Sequence, residues 1–331
     1  MSDPIAHVVV GPARHGVVRF GVALDQRLRS NGFPIELRSA LGRTAQGRGV
    51  HVQFTDRLFG ADAVQAAVAV SEFAAMVHCS GARISATLHD LPQPSDGEHY
   101  STRAHAYASL ASTLDAVVVS SDHERELLST IGFRGRTSVI PLPVTPPVHG
   151  PSPSSHPPSV GMFGFVYPGK GHAEVLDAME RLPPGVAMTV IGEPSAGHED
   201  LIEHLAATAR AQGRRFEVTG HVTDGAVNPL LHGVSVPVVH HRHVSASGSL
   251  NSWLTAGRRP LVASTRYTRE IAIRNPGGLL LYEDDPDSLA AALRAALDEP
   301  ESTWLPPGFA CSPTPDQVAR CYARFLRGVH R

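Results

Sequence analysis

Lysine is almost absent from this chain of 331 residues: Lys170 is the only one, and the other 28 of the 29 lysine and arginine residues are arginine. Arginine therefore fills nearly every position that needs only positive charge. Lysine carries a compact charge on a flexible stem, whereas arginine presents a broad planar fork. We therefore expect Lys170 to lie where arginine does not fit. A solvated surface lysine is the alternative.

Cysteine, long apolar runs and an excess of one charge are also missing. The three cysteines are odd in number and show no metal-ligand spacing, which favours reduced thiols in the cytosol. No apolar run approaches the roughly 18 residues of a membrane-spanning helix, and the N-terminus does not resemble a signal peptide. The formal net charge is −2, without a basic cluster that would favour nucleic acid. We expect a cytoplasmic protein with no nucleic-acid partner and no transmembrane segment.

The length favours two domains, and the pattern of the chain divides it in the same way. Apolar runs predict strands at 5–10, 50–54, 83–88, 115–120 and 137–141, and again at 160–163, 187–191, 216–219, 234–239, 260–263 and 279–282. Helical patterns lie between them, which predicts an α/β protein with two doubly wound parallel sheets. The expected division is an N-terminal domain over 1–145, a Pro/Ser-rich linker over 146–158, a C-terminal domain over 159–310, and a final helix within 311–331 that can pack on either domain.

Lys170 lies in a glycine-rich turn between a predicted strand and a predicted helix. The turn begins at Gly164 and ends with Gly169, Lys170 and Gly171, and the helix follows over 173–182. Backbone N–H groups at such a junction form an anion site, which is usually a phosphate site. The pattern therefore predicts that Lys170 contacts a phosphate.

A second candidate anion site follows the strand predicted at 234–239. Ser247 is placed to cap a helix that begins near Ser249 and Leu250. The N–H groups and the dipole of a first helical turn suit a phosphate. An ordinary serine-capped helix without a ligand is the alternative. Arg242 is a candidate second cation because it is close in sequence.

Two histidine segments offer other chemistry. His240, His241 and His243 are clustered, but no Cys, Asp or Glu nearby completes a metal shell, so we expect no metal. His89 and Asp90 follow a predicted strand, where a histidine can hydrogen-bond a substrate hydroxyl while a carboxylate fixes its tautomer. A strand-end histidine followed by a turn-capping aspartate is the alternative.

Several segments, taken in order, resemble GT-B glycosyltransferases and are most similar to the retaining glycosyltransferase family 4. The resemblance covers nearly the full length, and its order and spacing are more specific than any single piece. The turn from Gly164 to Gly171 resembles the family's G-x5-K-G turn, whose lysine contacts the donor phosphates. The other similar segments are 8–20 (the first glycine loop), 86–90 (a strand end with a histidine close to the transferred sugar), 115–121 with 139–141, 256–264 (the "AxGxPVVAS" strand) and 277–290.

The resemblance implies two Rossmann-like domains facing across a cleft. It also implies transfer of a hexose from a nucleotide diphosphate sugar to a small-molecule, lipid-linked or glycan acceptor, with retention of configuration and without a metal or other cofactor. The implied catalytic residues are His89, Asp90 and Lys170. With the local patterns described above, the expected diphosphate-binding residues are Gly16, Lys170, Ser247, Gly248, Ser249, Leu250 and Arg242, and the expected base- and ribose-binding residues are Gly192, Glu193, His221, Val222 and Asn251.

The chain departs from the family pattern in two places. Phe165 stands where family members usually have an arginine, directly after the glycine that begins the lysine turn. The E-x7-E motif, expected before Ala256, is replaced by residues 242–252, which contain no carboxylate. These departures leave two alternatives: a GT-B-like protein that binds or senses nucleotide sugars without transferring them, and a GT-B sugar epimerase or phosphorylase.

Overall fold

The computed structural model describes residues 4–42, 49–147, 157–242 and 246–330. The chain divides into two compact units, one made of Met1–Pro143 with Pro313–Arg331 and the other of Val144–Ser312. Most of the linker expected over 146–158 lies outside the described residues, as does His243. No helix in the described ranges has the length and apolar character needed to cross a membrane.

In its described residues, the first unit contains a six-stranded parallel sheet. The strands are β1 (Ile5–Val8), β2 (Ile35–Arg38), β3 (Val50–Phe54), β4 (Ile84–Leu88), β5 (Ala116–Val119) and β6 (Thr137–Val139). Their order across the sheet is β2-β1-β3-β4-β5-β6. Helices connect the successive strands from β1 to β2 and from β3 to β6, whereas the described residues between β2 and β3 contain no helix. With numbering along the whole chain, they are α1 (Gly16–Ser30), α2 (Asp56–Phe59), α3 (Ala63–Cys79), α4 (Tyr100–Ser112) and α5 (Asp122–Thr130).

The C-terminal helix α12 (Pro315–Val329) belongs to the first unit. Thr314 caps its first turn in a capping box with Gln317, and its apolar side packs in one cluster with Leu24 and Leu28 of α1. One face of the first sheet is therefore covered by α1 and α12.

The second unit repeats the plan with another six-stranded parallel sheet, counted over its described residues. The strands are β7 (Ser159–Phe163), β8 (Ala187–Ile191), β9 (Phe216–Val218), β10 (Val236–Val239), β11 (Leu261–Ala263) and β12 (Leu280–Tyr282), in the order β12-β11-β10-β7-β8-β9. The helices are α6 (His172–Met179), α7 (Glu199–Ala211), α8 (Asp224–His232), α9 (Gly248–Thr255), α10 (Arg266–Arg274) and α11 (Pro286–Asp298). Buried apolar clusters lie on both faces of this sheet.

The expected parallel α/β architecture is confirmed, and all eleven predicted strands are present with ends shifted by at most two residues. The prediction missed β2, a four-residue edge strand with the sequence IELR. Two of these four residues are charged, so the segment lacks the continuous apolar run that identifies a buried parallel strand. It also gave no bounds for α8 or for α10; the polar sequence of α10 carries only Tyr267, Thr268 and Ile271 as buried residues.

Candidate functional site

The second sheet has a topological switch point between β7 and β10. The chain leaves β7 toward β8 and β9 on one side, and β10 begins the run toward β11 and β12 on the other. Ligands of open α/β sheets bind outside the carboxyl ends of the strands at such a point. Lys170 follows β7, and the first turn of α9 follows β10. The fold therefore brings both predicted anion-binding segments to the switch point.

Lys170 is buried, with only 6% of its surface exposed. It ends a short 3-10 turn, Pro168–Lys170, and its Nζ donates a hydrogen bond of 2.9 Å to Ser249 Oγ. Burial lowers the pKa of Lys170 to about 7. In the described part of the chain the ammonium has no carboxylate partner. The alternative of a solvated surface lysine is therefore wrong.

Two histidines surround Lys170, and both are held neutral. Burial is the main cause that lowers the pKa of His172 to about 3, and the nearby charge of Lys170 lowers it further. Neither ring nitrogen of His172 has a hydrogen-bond partner among the described residues. His241 lies with Nε2 3.5 Å from Ser249 Oγ, and burial, followed by Lys170 and His172, lowers its pKa well below the usual value. Among the described residues, no carboxylate pairs with Lys170, His172 or His241.

Ser247 caps α9 as predicted, because its Oγ accepts a hydrogen bond of 3.2 Å from Leu250 N. Ser247 N itself donates to Tyr267 Oη at 2.9 Å. Two of the four predicted amides are therefore already used inside the protein. Gly248 and Ser249 begin the helix, and the described residues include no acceptor for their N–H groups. These two amides are the ones that can meet a ligand.

Two glycines allow the loops at this edge to approach each other closely. Gly171 has φ +83°, and a Cβ there would lie 1.9 Å from the carbonyl oxygen of His240. Gly192 has φ +151°, and a Cβ there would lie 2.1 Å from the carbonyl oxygen of Gly164. The glycine-rich turn predicted at Lys170 is thus required by the contact between the loops after β7 and β10.

Arg242 lies at the same edge but does not contact Lys170 or Ser249. Its backbone N donates to Gly169 O at 3.2 Å, and its guanidinium pairs with Glu174 at 3.0 Å. The side chain is 59% exposed.

The residues predicted for base and ribose recognition follow β8, β9 and the first turn of α9. Gly192 N donates to Thr219 Oγ1 at 3.0 Å. Glu193 Oε1 lies 3.7 Å from His221 Nδ1, which brings these two predicted residues together. Val222 is half-buried, whereas Asn251 is buried within α9.

The first unit holds the remaining predicted residues. Gly16 begins α1 directly after His15, whose Nδ1 accepts a hydrogen bond of 3.3 Å from Val17 N. Burial lowers the pKa of His15, with Asp90 opposing and Arg57 adding to that effect. His15 was not singled out from the sequence, because histidine is an uncommon helix cap.

His89 and Asp90 form a tightly held turn after β4. Asp90 has a positive φ of 53°, and its Oδ2 accepts a hydrogen bond of 3.0 Å from Thr55 Oγ1. Tyr107 Oη donates to the carbonyl oxygen of His89 at 3.0 Å, and Arg103 donates to that of Asp90 at 2.9 Å. Asp90 thus holds the turn; its carboxylate has no described hydrogen bond to His89.

The His89 ring is buried beneath α1 and bonded to the sheet. Its Nε2 lies 2.9 Å from Gln53 Oε1, and its ring meets Phe20 edge-on at 5.8 Å between centroids. Burial lowers the pKa of His89 to about 4, with Asp90 opposing and His15 assisting. The ring is therefore neutral at neutral pH.

The sequence analysis missed a set of buried polar residues on one face of the first sheet. They share the strand period of two and are His7 on β1, His51 and Gln53 on β3, and Ser85 and Thr87 on β4. All five are fully buried. The available signal was the alternation of polar residues in strands that are otherwise apolar, because buried parallel strands are usually continuous apolar runs.

The described residues contain no cluster of three or more His, Cys, Asp or Glu side chains placed to hold a metal ion. His240, one of the three clustered histidines, hydrogen-bonds through Nδ1 to Tyr282 Oη.

Comparison with known families gives one match. Residues 157–299 match the family model described as glycosyl transferases group 1. The match includes Lys170, α9 and the predicted base-binding loops, and it lies in the second unit. No curated protein sequence matches the chain significantly.

Solved structures resemble the chain over its whole length. HepE from Anabaena in complex with UDP and glucose aligns with a TM-score of 0.70 and 15% identity, over 98% of this chain and 95% of that one. Sucrose-phosphate synthase from Thermosynechococcus elongatus aligns with a TM-score of 0.65 and 15% identity, over 99% and 96%. The lipopolysaccharide outer core galactosyltransferase WaaB aligns with a TM-score of 0.64 and 13% identity, over 98% and 99%. The two-domain GT-B fold expected from the sequence is confirmed.

Proposed function

We propose that the protein is a glycosyltransferase that takes a sugar from a nucleotide diphosphate donor and transfers it to an acceptor. The second unit holds the donor, with the diphosphate at the switch point between β7 and β10. The observation that carries the proposal is the buried Lys170 ammonium, which has no carboxylate partner among the described residues and donates to Ser249 at 2.9 Å. The family match over 157–299 and the Anabaena structure with UDP-glucose support it.

The electrostatics of the cluster suit a diphosphate. Burying a cation without a partner is costly, and a bound phosphate removes that cost by supplying the opposite charge. Lys170 and the Gly248 and Ser249 amides then approach the anion together, at the positive end of α9. In the same proposal Gly16 assists from the first unit, and Arg242 joins after leaving Glu174.

The same positive groups assist the breaking of the bond between the sugar and the diphosphate. As the bond between the anomeric carbon and the phosphate oxygen breaks, negative charge grows on the leaving nucleotide diphosphate. Lys170 and the two amides stabilise that charge where it develops. His89 hydrogen-bonds a sugar hydroxyl. The oxygen of the acceptor hydroxyl forms the new bond to the anomeric carbon, and its proton passes to a phosphate oxygen of the departing nucleotide diphosphate. We propose a hexose as the sugar and retention of configuration, on the resemblance to family 4.

Glu193, His221 and Asn251, with Gly192 and Val222, complete the proposal as the contacts of the base and the ribose. The pair between Glu193 and His221 offers a carboxylate for ribose hydroxyls. The structural likeness to a UDP-glucose complex makes uridine the first base to test.

A thermal-shift panel of UDP, GDP, ADP and TDP sugars tests donor binding without knowledge of the acceptor. A ligand at 100 times its dissociation constant stabilises the folded state by about 2.7 kcal/mol, which is a readily measured rise in melting temperature. We expect one nucleotide class to produce it. Unchanged melting with all four at millimolar concentration contradicts the proposal.

The absence of carboxylates in residues 242–252 favours a second candidate, a protein that binds nucleotide sugars without transferring them. Release of nucleotide from the bound donor distinguishes the two. A transferase releases the nucleotide when an extract that contains acceptors is added. It also releases the nucleotide slowly when water takes the place of the acceptor. A binding protein gives the same melting shift and no release.

A further inference from the structure

A line of polar side chains connects His89 to the surface of α1. His89 Nε2 lies 2.9 Å from Gln53 Oε1, and Gln53 Nε2 lies 3.0 Å from His7 Nε2. His7 Nδ1 faces Asp25 Oδ1 at 3.5 Å, and Asp25 Oδ2 pairs with Arg29 at 2.6 Å. The side chains of His7 and Asp25 are completely buried.

The amide of Gln53 fixes the direction of this line. Its Oε1 only accepts hydrogen bonds, so the His89 Nε2 that it faces at 2.9 Å carries the proton. Its Nε2 only donates, so His7 Nε2 accepts with its lone pair and the proton of His7 is on Nδ1. That proton faces the carboxylate of Asp25, which pairs with Arg29 on its other side.

We propose that Asp25, His7 and Gln53 are positioning residues that fix the tautomer of His89, with the proton on Nε2 and the lone pair on Nδ1. The inference deepens the proposed function and rests on it for the role of His89. It makes His89 an acceptor toward substrate: Nδ1 takes the hydrogen of a hydroxyl and has none to donate.

The surroundings of the His89 ring keep it neutral at neutral pH, so its tautomer determines which nitrogen can accept a hydrogen bond. Besides its own burial, the titratable groups that act on His89 are Asp90, His15 and His51. Burial outweighs the attraction of Asp90 and keeps the ring neutral. Phe20 and Gly21 of α1 cover the line, and a Cβ on Gly21 would lie 3.0 Å from Gln53 Cγ. Because Gly21 has no side chain, α1 packs directly against the side chain of Gln53.

The direct test is the protonation of His89 in ligand-free protein labelled with ¹⁵N-histidine. Long-range proton–nitrogen spectra separate a protonated ring nitrogen from a lone-pair nitrogen, and His89→Gln identifies the signals. We expect wild type to carry the proton on Nε2 at pH 7. A proton on Nδ1 would overturn the inference.

Substitutions test the direction of the line. Asp25→Asn presents an amide donor to His7, which reverses each hydrogen bond and moves the His89 proton to Nδ1. Gln53→Glu keeps an acceptor at His89 and preserves the proton on Nε2. Gln53→Met removes the link and leaves a mixture of both tautomers. An unchanged His89 spectrum in Asp25→Asn, or in Gln53→Met if Asp25→Asn does not fold, contradicts the inference.

His51→Gln is the matched control. His51 is equally buried and hydrogen-bonds to Ser85 at 2.9 Å and Thr87 at 3.0 Å; its ring packs against His7 at 5.7 Å between centroids, but it makes no hydrogen bond to His7, Gln53 or His89. We expect it to leave the tautomer of His89 unchanged. In transfer assays, Asp25→Asn and Gln53→Met should lower kcat about tenfold, the loss expected from one hydrogen bond made wrongly. Nucleotide affinity should not change. Wild type that shows the Nε2 proton but transfers no sugar refutes the proposed function and leaves this inference standing.

Discussion

The hydrogen bond from Lys170 Nζ to Ser249 Oγ, 2.9 Å long, joins the turn after β7 to the first turn of α9. It holds the ammonium beside the two open amides of α9, and it satisfies one of the three donors of that ammonium. A phosphate, with its several acceptor oxygens, can satisfy the others.

Replacing Lys170 by methionine should make the ligand-free protein more stable at pH 7. The pKa of Lys170 is about 7 in the folded state and near 10.5 in the unfolded chain. The unfolded state therefore binds more protons between these values, and the free energy of unfolding rises with pH across that window. Because methionine carries no charge, the substitution removes both the cost of burying the ammonium and the dependence of the free energy of unfolding on pH that Lys170 causes. Urea unfolding at pH 7 should show a gain of at least about 1 kcal/mol.

Arg210→Met is the control for that experiment, because it removes one positive charge from an exposed position on α7. It should change stability by less than about 0.5 kcal/mol. Equal effects of the two substitutions would mean that Lys170 is not strained by burial.

Binding of a nucleotide sugar at pH 8.5 should take up a proton. Most Lys170 side chains are neutral there, since the pKa is about 7, and an adjacent diphosphate raises that pKa. His172 and His241 face the same anion and add to the uptake only if binding charges them. Calorimetry in two buffers of different ionisation enthalpy measures the number of protons. Uptake should fall toward zero at pH 6, where Lys170 is already charged.

Gly171→Ala should destabilise the second unit more than Gly213→Ala. Both glycines have positive φ, +83° and +67°, so both substitutions cost about 1 kcal/mol in backbone strain. Only Gly171 also places a Cβ against another chain segment, 1.9 Å from His240 O, whereas nothing lies within 4 Å at Gly213. Thermal unfolding of the two variants separates the contact from the strain, and equal losses would contradict the close approach.

Arg103→Met should destabilise the first unit by about 3 kcal/mol, because it leaves a buried carboxylate without its partner. Arg103 Nε donates to Asp56 at 2.8 Å, and the guanidinium also pairs with Asp96. Arg125→Met is the control. Arg125 pairs with Asp122 at the surface, where such a pair contributes about 0.5 kcal/mol. A similar loss in both variants, measured by urea unfolding, would show that the Arg103 cluster does not hold the His89 turn.

The sequence was sufficient for the parts of the site that follow local rules. The turn before α6 and the serine cap of α9 were predicted because strand, glycine turn and capping residue are contiguous. The burial of Lys170 was not predictable in this way. It depends on β10 lying beside β7, which places Ser249 and His241 against a residue more than 70 positions away.

The line from Asp25 to His89 was missed for the same reason. His7 and Gln53 are 46 residues apart and meet only through the pairing of β1 with β3. Each residue alone resembles a chance polar substitution in an apolar strand. The register of the sheet places these separate polar residues side by side on one face.

Calorimetric titration of UDP into wild type and Lys170→Met tests the central claim most directly. A charge-assisted hydrogen bond to phosphate contributes about 1.5–3 kcal/mol, so we predict that UDP binds wild type and that Lys170→Met binds it roughly 10- to 100-fold more weakly. Equal affinity in the two proteins, or no binding to wild type at millimolar UDP, would contradict the assignment of the switch point as the donor diphosphate site.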